Sequence, residues 1–151
     1  MRRVLVTGVT GFAGSHLVDY MLTRNDCEIF GIQRWRSRTE NIEHFADQIT
    51  LVECDLRDAT STFDTVAKVK PDWIFHLAAQ SFVPTSWIAP TESLTTNVLA
   101  QVNIFEAVRR LGAGAPRAAG VGPARAREVE GTAGAEDGHD EALSRGRRAI
   151  R

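Results

Sequence analysis

The stretch VTGVTGFAGSH sets Gly8, Gly11 and Gly14 three residues apart, straight after the apolar run RRVLVTG and at the head of FAGSHLVDYMLTR. No other feature of the chain limits its fold as tightly. A short β-branched run, a glycine turn and then Phe12, Leu17, Tyr20, Met21 and Leu22 near one helical stripe predict strand, tight turn, helix. Each glycine has a task in such a turn. Gly8 permits the sharp exit from the strand, Gly11 lets an anion approach the backbone without meeting a Cβ, and Gly14 lets the helix pack closely on the sheet. The free amides and positive dipole end at the helix start suit a pyrophosphate. A turn that is merely glycine-rich is the plain alternative. The strand before, the helix after and a second strand at the right distance favour dinucleotide binding. No Lys follows the glycines, so the turn is not a P-loop.

Three more apolar runs follow, CEIFGIQ, ITLVECDL and DWIFHLAAQ, with the helical stretch TFDTVAKVK before the last. PTESLTTNVLAQVNIFEAVRRLG then carries Leu94, Val98, Val102, Phe105 and Val108 near helical spacing and stops at Gly112. Near-continuous apolar runs separated by helices indicate parallel strands buried on both faces. The expected fold class is α/β: the first half of a Rossmann doubly wound parallel sheet over residues 1–112, strand order 3-2-1-4, incomplete, with a fifth strand still owed.

The pattern dissolves after Gly112. Of the 39 residues 113–151, 24 are Ala, Gly or Arg, and the few aliphatics follow neither strand nor helix spacing. This low-complexity tail is expected to be disordered. All three residue types have GC-rich codons, so a shifted reading frame accounts for the segment; a genuine low-complexity tail is the alternative. Without a fifth strand the fourth is expected to leave an unpaired edge.

Charge and cysteines exclude several functions. A formal net charge of -1 gives no global field favouring nucleic acid or an anionic membrane, so neither is an expected partner. Cys27 and Cys54 show no metal or redox spacing and read as buried small hydrophobes. No run approaches 18 apolar residues, and a strand rather than a signal-peptide core follows the two opening arginines; a cytoplasmic location is expected. His16, His44 and His139 have no ligand spacing, and no metal site is expected.

The end of the second strand distinguishes the dinucleotides. An NAD site would place Asp or Glu there for the ribose 2′-OH, whereas FGIQRWRSR offers Arg34, Arg36 and Arg38, with no carboxylate before Glu40. Guanidinium groups bind a 2′-phosphate in a bidentate fork, and Trp35 can cover an adenine face. NADP is therefore the expected cofactor. A solvated basic loop and a nucleic-acid patch are the alternatives.

Thr7-Gly8-x-x-Gly11-x-x-Gly14, Asp55-Leu56, Leu77-Ala78-Ala79-Gln80-Ser81 and Asn97 resemble the extended short-chain dehydrogenases/reductases, the NAD-dependent epimerase/dehydratase family, over residues 1–112. Within that family RWRSRTENIEH and LAAQSFVPTSW are most similar to GDP-mannose 4,6-dehydratase and GDP-4-keto-6-deoxymannose reductase. The resemblance implies a cofactor set of Thr7, Gly8, Gly11, Phe12, Gly14, Arg34, Arg36, Asp55, Leu56, Leu77, Ala78, Ala79 and Gln80. In it Asp55 and Leu56 meet the adenine and Leu77 to Ala79 meet a ribose. Ser81 and Val83 would lie near the substrate, a GDP-sugar, in a homo-oligomeric parent enzyme.

The family's chemistry moves a hydride from the sugar C4 to the cofactor, removes water across C5 and C6, and returns the hydride at C6. It requires a Tyr base with a Lys four residues later and a Ser or Thr after the fifth strand. Here the one tyrosine is Tyr20 and the lysines are Lys68 and Lys70, so no such pair exists and no catalytic residue is assigned. His76 beside Ser81 lacks an Asp partner and a nucleophile elbow, and reads as a packed strand residue. Ala100 stands where the family usually has Gly. The sequence thus reads as an N-terminal fragment of a sugar-nucleotide dehydratase, itself inactive. A reductase or epimerase fragment, a non-catalytic dinucleotide-binding module and a basic-loop interaction protein are the alternatives.

Overall fold

The computed structural model describes residues 1–112 and, by its backbone, residues 117–120. The elements run β1 (Arg2–Thr7), α1 (Phe12–Arg24), β2 (Cys27–Gln33), β3 (Thr50–Glu53), α2 (Ala59–Val69), β4 (Trp73–His76), α3 (Val83–Ile88), α4 (Pro90–Leu111) and β5 (Arg117–Gly120). They form one parallel sheet ordered β3-β2-β1-β4-β5. The expected order 3-2-1-4 is its first four strands.

The alternation along β1 explains its unbroken apolar run. Leu5 packs with Ile32, Ile74, Ala100 and Ile104 on one face, while Val4 and Val6 pack with Val18, Ile42 and Phe45 on the other. Both faces are buried, so successive side chains must all be apolar. α2 and α4 supply the first face. α2 is capped at both ends: Asp58 accepts from Ser61 N–H at 2.6 Å, and Lys70, left-handed at φ 49°, donates its N–H to Val66 O at 2.9 Å.

On two helices the buried stripe is not the most hydrophobic one. α1 buries Gly14, Ser15 and Val18 while Phe12 and Tyr20 are exposed. Small residues let its axis approach the sheet closely. α4 likewise buries Ser93, Ala100, Ile104 and Ala107 and turns Leu94, Val98, Val102 and Phe105 outward.

The basic stretch after β2 is more than a loop. Its backbone winds through successive turns, Ile42 N–H to Thr39 O, Phe45 N–H to Ile42 O and Gln48 N–H to Phe45 O, which drop Ile42 and Phe45 fully into the core. Asn41 Nδ2 ties this stretch to Thr10 O at 2.9 Å.

The sheet also continues past Gly112. Four residues of the Ala/Gly/Arg stretch form β5, in register Trp73↔Arg117, Ile74↔Ala118, Phe75↔Ala119 and His76↔Gly120. The expectation of an unpaired β4 edge is corrected accordingly. Strand pairing uses backbone groups, and a waiting edge outweighs the low strand propensity of Ala and Gly. Residues 113–116 and 121–151, on which the rest of the expected tail falls, lie outside the described residues. Among the described residues no helix is long and apolar enough to cross a membrane.

Candidate functional site

β1 has β2 on one side and β4 on the other, and the chain leaves in opposite directions from the two, so a crevice opens at the carboxyl ends of these strands. A cleft of about 560 Å³ occupies it, lined by the glycine turn, the ends of β2 and β4, the residues after β3 and one side of α4.

The glycine turn forms the cleft wall because nothing larger fits. Gly8 sits at φ 69°, and a Cβ there would lie 2.7 Å from Ala78 N; a Cβ on Gly14 would collide with the Gly8 carbonyl oxygen. Gly11 is the N-cap of α1 and offers no side-chain cap, so the amides of Phe12, Ala13 and Gly14 start the helix along the cleft lining. Their donors and the helix dipole make this wall electropositive.

Where the cleft meets the ends of β2 and β3, Asp55 is held by Arg57. Arg57 Nε lies 3.1 Å from both carboxylate oxygens, a terminal guanidinium nitrogen lies 2.7 Å from Oδ2, and the Arg57 N–H donates to Oδ1 at 3.0 Å. The Arg57 hydrogen bonds hold the Asp55 carboxyl below its usual range, partly opposed by desolvation, with Arg34 adding a smaller pull. A side hollow of about 380 Å³ adjoins, walled by Arg34, Trp35, Arg36, Glu53 and Asp55 among others. Arg36 is left-handed at φ 63°, in a turn closed by Ser37 N–H to Arg34 O and Arg34 N–H to Ser37 Oγ.

At the far end two side chains fix the turn after β4. Thr7 Oγ1 accepts from the Leu77 and Ala78 N–H groups, each at 3.1 Å, and lies 2.8 Å from His76 Nδ1. Asn97 on α4 pairs with both the N–H and the carbonyl oxygen of Gln80. Burial pushes the His76 imidazole below its ordinary pKa.

Of the residues singled out from sequence, Gly8, Gly11, Phe12, Gly14, Arg34, Asp55, Leu56, Leu77, Ala78, Ala79, Gln80 and Ser81 line the cleft. Thr7 lies beneath it, fully buried, and Arg36 lines the side hollow. Val83 opens α3, exposed, and is not part of the lining. Sequence reasoning missed Thr10, Ser37, Arg57, Glu92 and Thr96, which also line it. Thr96 precedes Asn97 by one residue and Glu92 lies one turn further back, so helical spacing from Asn97 was the available signal.

The chain matches the family model described as GDP-mannose 4,6 dehydratase over residues 5–120. It is 31% identical over 120 residues to GDP-mannose 4,6-dehydratase of Vibrio cholerae, covering 74% of this chain and 32% of the relative. It is 40% identical over 113 residues to UDP-glucose 4-epimerase of Mycolicibacterium smegmatis, covering 73% and 36%. Among solved structures, Thermus thermophilus UDP-glucose 4-epimerase in complex with NAD shares 32% identity at a TM-score of 0.65, covering 73% of this chain and 34% of that one. The chain thus spans about a third of the length of the curated relatives it matches.

The NAD in that complex overturns the expectation of NADP. The structure supplies the physical reason. Asp55 in the side hollow is taken up by Arg57, while Glu53 shares the hollow with Arg34 and Arg36 and offsets part of the positive charge from which a 2′-phosphate site was read.

Proposed function

The chain belongs to the GDP-mannose 4,6-dehydratase family within the NAD(P)-dependent sugar-nucleotide epimerases and dehydratases, and from that membership we propose that it carries the dinucleotide-binding portion of such an enzyme, with NAD as the dinucleotide. One observation carries the reading: a glycine cradle with no room for a Cβ at Gly8 or Gly14 meets an uncapped helix start on the wall of the cleft.

The assignments follow from position. The α1 amides and Gly11 hold the pyrophosphate, and Thr7 and Gly8 shape the backbone that admits it. Asp55, kept ionised by Arg57, accepts a hydrogen bond from the adenine amino group beside Leu56. Arg34 and Arg36 border that end and balance the nearby carboxylates. Leu77, Ala78 and Ala79 face a ribose, Phe12 covers the lip, and Gln80 and Ser81 take the nicotinamide end, with Val83 beyond them toward the sugar. Bound there, the dinucleotide supplies a reversible hydride acceptor to a nucleotide-sugar carbon.

The proposed nucleotide-binding unit is residues 1–112 extended by β5. A nucleotide sugar as substrate and an oligomeric parent enzyme belong to the same proposal. Without a Tyr-x-x-x-Lys pair, this chain binds dinucleotide and does not dehydrate GDP-mannose. The epimerase relative, at 40% identity, favours a second reading in which the parent reaction is epimerisation at C4. Assaying the purified chain for NAD binding and for turnover of GDP-mannose and UDP-glucose tests the binding-only assignment that both readings share. Turnover of either sugar would overturn the binding-only assignment.

A further inference from the structure

Thr7 is fully buried, and its hydroxyl has three polar neighbours: the Leu77 and Ala78 N–H groups at 3.1 Å each and His76 Nδ1 at 2.8 Å. A hydroxyl has one proton and two lone pairs. Backbone amides only donate, so Ala78 and Leu77, whose N–H is shared with the Thr7 carbonyl oxygen at 3.2 Å, face the lone pairs, and His76 Nδ1 is the one acceptor among the three for the hydroxyl proton. We infer that His76 is a neutral imidazole with its proton on Nε2, and that it is a positioning residue whose bare Nδ1 turns the Thr7 hydroxyl toward the Leu77 and Ala78 amides.

The other tautomer does not balance. A proton on Nδ1 would make His76 a donor and leave the hydroxyl proton unpaired in the core, which is costly. An imidazolium fails for the same reason. In sheet register His76 stands between Thr7 and Gly120, neither of them titratable. Burial favours the neutral ring.

The amides so fixed begin the turn that passes over Gly8, where Ala78 N would lie 2.7 Å from any added Cβ. Leu77 and Ala78 both line the cleft. His76 thus sets the spacing between the glycine turn and the β4 exit through Thr7, without itself lining the cleft. The inference does not depend on which nucleotide the cleft takes.

Nitrogen-15 NMR of the full chain at neutral pH, with long-range proton correlations on the His76 ring, reads the tautomer directly. The expected spectrum has Nε2 protonated and Nδ1 bare; a protonated Nδ1 would overturn the inference. Amide exchange at Leu77 and Ala78, with Leu5 as the internal reference, reads the positioning. His76→Asn puts an amide oxygen at the Nδ1 position and should retain protection, whereas His76→Gln puts its amide at the Nε2 position and should speed exchange about five- to tenfold. His76→Leu should match His76→Gln, and if it does not fold, the Asn and Gln pair still decides. Equal exchange in the Asn and Gln variants would overturn the positioning role.

Discussion

The Asn97 side chain holds both backbone groups of one residue: its Oδ1 accepts from Gln80 N–H at 2.7 Å and its Nδ2 donates to Gln80 O at 3.2 Å. α4 is thereby fastened to the turn after β4, seventeen residues back in the chain. Replacing Asn97 with Ala leaves two half-buried backbone groups unpaired, at a cost of about 1–3 kcal/mol. Urea unfolding of Asn97→Ala should show a lower midpoint with an unchanged slope, and an unchanged midpoint would show that the bracket contributes nothing.

Gly14 and Gly112 should fail for different reasons. A Cβ at Gly14 meets the Gly8 carbonyl, a backbone group that cannot swing aside, whereas Gly112 has open space but sits at φ 66°. Gly14→Ala should cost more stability than Gly112→Ala, for which about 1–3 kcal/mol of backbone strain is expected at φ 66°, ψ -145°. Thermal melts of the two variants make the comparison. Equal losses would remove the close approach of α1 to the turn from the explanation.

β5 covers the β4 edge by backbone pairing. The double substitution Ala118→Pro with Ala119→Pro removes amides of both alternating orientations, so it must delete pairing whichever face each occupies. The exposed edge should drive association, read as a concentration-dependent rise in light scattering. A double-proline chain as monodisperse as the parent would show that β5 does not protect the edge.

Much of this was legible in the sequence, and what was not has definite physical causes. The glycine turn could be read because a close backbone approach admits one residue type, at Gly8 and Gly14. The residues after β3 and β4 could be read because short motifs carry them. β5 could not, since Arg-Ala-Ala-Gly has neither alternation nor β-branching, and only the partner strand makes it a strand. Nor could the face of α4: Leu94, Val98, Val102 and Phe105 outscore Ala100 and Ala107 in hydrophobicity, yet the helix buries Ala100, Ile104 and Ala107. The cofactor misreading came from counting neighbours along the chain. Arg34 follows Gln33, and Gln33 pairs with Glu53 across the sheet, so a carboxylate twenty residues on from Gln33 in sequence stands beside the basic turn in space.

The Asp55–Arg57 pair gives a pH dependence with a definite sign. Its partner depresses the folded-state pKa of Asp55, so the pair's contribution is complete above the unfolded carboxylate value and is lost as pH falls through the lower folded value. Dinucleotide affinity should therefore hold through mildly acid pH. Arg57→Gln should move the loss of affinity upward, toward the unfolded Asp value of about 3.9. Both residues are partly exposed, so the effect on global stability should be small. An Arg57→Gln profile superimposable on the parent profile would detach Arg57 from the ionisation of Asp55.

The central claim is dinucleotide binding by this cleft with NAD as the cofactor, and isothermal titration of the purified 151-residue chain with NAD and with NADP tests it most directly. The expected result is saturable one-site binding of NAD, with NADP bound no more tightly. A chain that melts cooperatively yet gives no heat with NAD, or that prefers NADP, would contradict it.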